Sequence, residues 1–194
     1  MKIARVVFLL LLAAPATWLL GQSHSSAVSP AQRAQQKLAN IQQNGARPHP
    51  DPAPTVLTED EINAYLASGA VRFPAGVQSV HLQGTAGSVA GTARVDFDKL
   101  TEGKRSANPM LSFFTGVHDV SATAQAIGSD GWGEVQVYTV SLDGVEIPRM
   151  ALEYFVNHYV KPKYPGVGLD TRFKLPDRID SATVGDHQLS IVQK

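Results

Sequence analysis

The sequence predicts an α+β domain: a long, bent antiparallel sheet with two or three helices packed on one face. Three observations predict it. Apolar residues recur with period two through Val89–Phe97 and Val120–Ala126, the period slips inside the following segment, and stretches with helix-start chemistry interrupt the strands.

The elements follow in order. Lys2 and Arg5 precede the apolar run Val6 to Leu20, which gives way to small and polar residues. A basic start, an apolar middle and a small-residue exit form an export signal over residues 1–27. The run is shorter than the ~20 residues that cross a bilayer comfortably. Cleavage is expected at Ser25-Ser26-Ala27, with Ala14-Pro15-Ala16 the alternative; left uncut, the segment would be an anchor. Residues 28–55 read as a Pro-rich tether with a weak helix. Pro30 can open that helix, but its stripe of Ala34, Leu38 and Ile41 is thin, and Pro48 to Pro54 favour an extended spacer. The α+β domain is expected over 56–194.

Thr58-Glu59-Asp60-Glu61 is a capping box, with Leu57 and Ile62 as its hydrophobic staple. Ile62, Tyr65 and Leu66 give that helix an apolar face, and Gly69 ends it. Capping accounts for the bunched acids without a metal or acid–base site. Val89, Gly91, Ala93, Val95 and Phe97 then mark a half-buried strand, and Val120, Ala122, Ala124 and Ala126 another. Asp130-Gly131 is a hairpin turn signal. The return strand carries Val135 and Val137 in one phase but Val140 and Leu142 in the other, as a β-bulge requires. Asn108 and Pro109 start a short helix, and Pro148 a longer one that Pro162 stops. Leu152, Phe155, Val156 and Tyr159 form its apolar face. Ala182 and Val184, Gly185-Asp186, then Leu189 and Ile191 close the chain as a hairpin.

Composition removes several function classes. Seventeen cations balance seventeen acids, and losing Lys2 and Arg5 with the leader tips the remainder acidic, so nothing provides the basic stripe of a nucleic-acid binder. With no cysteine there is no disulfide scaffold, thiolate metal site or thiol nucleophile. The histidines (His24, His49, His81, His118, His158 and His187) lack metal-ligand spacing, so no metal or other cofactor is expected. His118 and Asp119 are neighbours on a strand and point to opposite faces, which is poor geometry for a triad. No catalytic residue is assigned.

The strand from Val117 to Ile127 spans roughly 36 Å at ~3.3 Å per residue, far beyond the usual five or six residues. Its inner face is small in volume. Either a helix approaches closely to fill that space, or a long apolar molecule does. The expected groove is lined by Val89, Gly91, Ala93 and Val95 on one strand and by Val120, Ala122, Ala124 and Ala126 on the next. Leu152, Phe155, Val156 and Tyr159 form its lid. Trp132 at the hairpin tip and Met110, Leu111, Phe113 and Phe114 beside Lys104 and Arg105 are the expected membrane contacts.

Three stretches carry a resemblance. Gly87-Ser88-Val89-Ala90-Gly91-Thr92-Ala93-Arg94-Val95-Asp96-Phe97 with Lys99-Leu100, Val140 to Pro148 leading into a helix, and Leu175-Pro176 with Ile179, Ala182 and Val184 resemble exported bacterial envelope domains. The set is the phospholipid-binding mannan-biogenesis family of actinobacterial envelopes, with the AsmA-type and tubular lipid-binding domains similar in style. The resemblance covers about residues 57–192; Arg94 and the segment before Val56 have no counterpart in it. It implies a lipid-facing envelope protein and transfers no catalytic residue. The expected role is non-covalent binding of a lipid or other long apolar ligand in the periplasm or cell envelope, with a lipid or membrane surface as partner. The alternatives are a scaffold with a fully packed core, and a hydrolase assembled around His118, His158 or His187.

Overall fold

The computed structural model describes residues 28–102 and 113–194. Expectations for the leader, residues 1–27, and for Met110 and Leu111 lie outside the described residues. Among the described residues there are nine strands and four α-helices, an α+β arrangement around one large antiparallel sheet.

Helix α1, Pro30–Gly45, begins on a reciprocal cap: Ser29 Oγ accepts from the Gln32 N–H while Gln32 Oε1 accepts from the Ser29 N–H. Its thin stripe is nonetheless wholly used, with Ala34 0 %, Leu38 4 % and Ile41 1 % exposed. This corrects the reading of residues 28–55 as a tether standing clear of the domain. The stripe packs into the main core with Leu57, Ile62, Leu66, Ile179 and Ile191. Polar contacts hold its flanks: Lys37 Nζ donates to Glu61 Oε2 at 2.7 Å and to the Val56 carbonyl at 2.7 Å, and buried Gln193 donates to the Ile41 carbonyl at 2.8 Å. A narrow apolar face suffices because a ready partner surface stabilises the helix, not its own propensity. After it, residues 51–54 run exposed along the surface, and Arg178 donates to the carbonyls of Arg47 and Pro48 just ahead of them.

Strand β1, Thr55–Thr58, leads directly into α2, Glu59–Ala67. The expected capping box is present, the Glu61 N–H donating to Thr58 Oγ1 and the Thr58 N–H to Glu61 Oε2. Capping is only part of what these acids do. Glu61 is 3 % exposed and also pairs with Arg33 and Lys37 of α1.

The remaining strands are β2 (Val77–Thr85), β3 (Ser88–Asp96), β4 (Val117–Ser129), β5 (Trp132–Leu142), β6 (Val145–Glu146), β7 (Asp170–Lys174), β8 (Ile179–Gly185) and β9 (Gln188–Gln193). Helix α3, Phe97–Leu100, caps the end of β3, and α4, Arg149–Phe155, continues into a wider π turn, Val156–Val160. β4 runs thirteen residues and organises the sheet. One edge pairs with β5; the other pairs with β3 from Val117 to Gln125 and then passes to β8 at Ile127 and Gly128. A Cβ on Gly128 would lie 2.8 Å from the Ala182 Cβ, so the hand-over needs glycine there.

The phase slip in β5 is a bulge. Thr123 pairs with Thr139 but Ala124 pairs with Val137, leaving Tyr138 as the extra residue. The bulge puts Val135, Val137, Val140 and Leu142 on one face. Asp130 and Gly131 both take positive φ, 51° and 74°, forming the tight turn that Asp-Gly favours.

Candidate functional site

Two cores occupy the two ends of the inner face. The first gathers α1, α2, β1, β8 and β9. The second is aromatic: Phe114 stacks on Phe155 at 4.2 Å between ring centroids, and Phe97 meets both edge-on at 5.5 and 5.6 Å. Between them lies the stretch of small side chains. Gly91, Ala93, Ala122 and Ala124 face inward, yet none of them is fully buried. An apolar cavity of about 370 Å³ stands over them.

The helices do not close this gap because each is anchored at a border of the sheet. Asn63 of α2 exchanges two hydrogen bonds of 2.8 Å with the backbone of Leu82 on β2, reproducing a strand partner at that free edge. Glu59 Oε2 accepts from the Gly84 N–H at 2.9 Å and meets His187 Nδ1 at 3.0 Å, while the Glu59 N–H donates to the His187 carbonyl. At the far end Arg149 of α4 donates to the Val137 carbonyl and to Asp170. Neither helix can slide over the middle without giving up several of these bonds.

Seven of the eight expected sheet residues line the cavity: Val89, Gly91, Ala93, Val120, Ala122, Ala124 and Ala126. Val95 does not; it is buried in the aromatic core. The expected lid is elsewhere too. Leu152 and Phe155 are buried in that same core, Tyr159 packs against it, and half-buried Val156 is also off the cavity. Their side chains are satisfied by Phe97, Phe114 and Leu142 nearby. The opposing wall comes instead from Ile62 and Leu66 of α2 and from Phe73 and Pro74 after it, with Val80, Leu82, Val135 and Val137 at the sides. Ile62 and Leu66 were legible as an apolar helix face. The side that this face would cover was not, because the Asn63 clamp leaves no periodic signal.

The lining is almost wholly aliphatic, its polar residues being Glu59, Thr92 and Gln188. The Gly84 N–H holds the Glu59 carboxyl below its ordinary value, helped by His187, so this group is a carboxylate at neutral pH. Counted as a closed void at ~24 cal/mol per Å³, the cavity would cost roughly 9 kcal/mol, as much as the whole stability of many domains. That figure is an upper bound for a space partly open to solvent. Water gains little there, because it would find few polar partners.

The expected membrane contacts divide. Trp132 is 43 % exposed with the Arg172 guanidinium 5.0 Å above its ring, and Phe113 is 49 % exposed. Phe114 is a correction: it is 5 % exposed and belongs to the aromatic core.

His118 has a definite partner, though not its neighbour Asp119. Its Nδ1 lies 2.6 Å from Asp143 Oδ2 and its Nε2 2.7 Å from the Thr115 carbonyl. A carbonyl only accepts, so Nε2 donates, and a donating Nδ1 as well makes the ring an imidazolium. The Asp143 hydrogen bond accordingly raises the His118 pKa and lowers that of Asp143. The histidine's contribution to stability is full below its ordinary value of 6.5 and fades as pH rises through the raised one. The aspartate's is full above 3.8 and fades as pH falls through the lowered one. The pair therefore stabilises most between those values. An NMR titration should find the His118 midpoint raised, and Asp143→Asn should return it toward 6.5; an unmoved midpoint would dismiss the pairing. Among the described residues no cluster of three or more His, Asp or Glu could hold a metal ion. Searches against family models, curated proteins and solved structures find nothing that matches this chain.

Proposed function

We propose that this protein is an exported binder of a lipid or another long apolar molecule, acting without covalent chemistry in the periplasm or cell envelope. One observation carries the reading: the centre of a long inner sheet face is left uncovered between two well-packed cores. Its 370 Å³ falls within the ~300–1,000 Å³ range of ligand pockets, and its aliphatic lining suits hydrocarbon. A scaffold with a packed interior would gain stability from larger side chains at Gly91, Ala122 and Ala124, which favours the binder over the scaffold. Against a hydrolase built on His118, both of its ring nitrogens are already held within the chain, by Asp143 and by the Thr115 carbonyl, which leaves neither facing a substrate as a base.

Native mass spectrometry of the protein purified from its own cell envelope tests this directly. Co-purifying lipid is the expected result; an apo mass that added lipid leaves unchanged would end the proposal. In the same reading Trp132 and Phe113 meet the membrane surface. Trp132→Ala should then weaken sedimentation with vesicles containing phosphatidylglycerol, and equal sedimentation would remove Trp132 from that role.

A further inference from the structure

The polar lining residues Glu59 and Gln188 sit together where the β2–β3 and β8–β9 turns meet. Gly84 donates to Glu59 there, the His187 N–H donates to the Gly84 carbonyl, and the Gln188 side chain lies against Gly185. We propose that the occupant is a single-chain amphiphile with an uncharged or cationic head. Its chain lies over Gly91, Ala122 and Ala124, and its head meets Glu59 and Gln188. This rests on reading the cavity as a lipid site.

Size and charge carry the detail. An apolar cavity of ~150 Å³ takes up benzene, so in proportion 370 Å³ has room for about fifteen carbons. That is one long chain, not the two of a diacyl lipid. Charge sets the head group. Among the described residues lining the cavity there is no Lys or Arg, and Glu59 is the one charged side chain. His187, the nearest potential cation, is 64 % exposed, already engaged with Glu59, and not part of the lining. An anionic head would lie beside a carboxylate with no counter-charge of its own. A hydroxyl or ammonium group could instead donate to Glu59. The Gln188 amide, exposed and making no hydrogen bond among the described residues, offers a donor and an acceptor to the same head.

Displacement of N-phenyl-1-naphthylamine from the delipidated full chain tests this, with four competitors: hexadecan-1-ol, hexadecylamine, palmitate and dipalmitoyl phosphatidylglycerol. The alcohol and the amine should bind one to one, roughly tenfold or more tighter than palmitate or the diacyl lipid. Glu59→Gln should bring palmitate to within about threefold of the alcohol, and Gln188→Ala should weaken the alcohol roughly fivefold. If Glu59→Gln does not fold, the four wild-type affinities still decide. Palmitate or the diacyl lipid binding as tightly as the alcohol would overturn the inference while leaving the cavity reading intact. If no competitor displaces the dye, or Ala124→Trp leaves displacement unchanged, the cavity reading itself falls.

Discussion

Ala124→Trp should lower lipid loading at least about tenfold while the domain stays folded. Ala124 pairs with Val89 on one side and Val137 on the other, at the middle of the uncovered face, and its methyl group points into the cavity. An indole buries about 150–250 Å² and would take the space that hydrocarbon would fill in the proposed role. The ring has apolar neighbours all round, so the thermal midpoint should hold or rise, as cavity-filling substitutions often raise it. Ala90→Trp is the control, because exposed Ala90 lies on the opposite face of the same sheet. Native mass spectrometry with circular dichroism reads both variants. Normal loading of Ala124→Trp by a folded protein would place the lipid somewhere else.

Ile41→Ala should destabilise the protein by about 2–5 kcal/mol, a core-sized loss in a segment that reads as a spacer. Ile41 is 1 % exposed, and its carbonyl accepts from buried Gln193, so truncation opens a void beside a fixed polar contact. A urea midpoint measures it; a shift within the range of surface substitutions would return α1 to the role of spacer. The same helix brings an acid dependence. Burial opposes ionisation of Glu61, but Lys37, the Thr58 N–H and Arg33 outweigh it and hold the carboxyl below its ordinary value of 4.5. Stability from this cluster is full above that value and is lost as pH falls through the lowered one. Glu61→Gln should therefore flatten the acid limb of the stability profile.

What was legible in the sequence was whatever local chemistry decides alone. The Thr58–Glu61 box, the Asp130-Gly131 turn and the bulge implied by Val137 and Val140 each depend on a few adjacent residues, and each is found in place. The small inner face was legible for the same reason, since alternation in a strand assigns faces directly. The partners of the helices were not. Leu152 and Phe155 form a convincing apolar face, but periodicity says only that a face is buried, not against what. Their partners, Phe97 and Phe114, lie far away in sequence. Helix α1 shows the converse error. Three apolar residues make a thin stripe, yet Glu61 and Gln193 supply polar anchors to the helix from distant parts of the chain, and Arg178 holds the segment just after it.

The extra residue at Tyr138 has a consequence for how the chain can vary. Parity along β5 is reset there, so its two halves point their valines the same way only because one position is spent out of step. Deleting Tyr138 would take out the bulge and leave Val135, Val137, Val140 and Leu142 in unbroken alternation, still on one face. The cavity wall and the aromatic core would keep their β5 side chains, and the local bend and added twist of the bulge would be lost. Substitutions at Tyr138 should be well tolerated, its side chain being 54 % exposed, and loss of the residue should change the curvature of the sheet more than the sorting of its faces. The surplus position shapes the sheet and does not choose which side chains face inward.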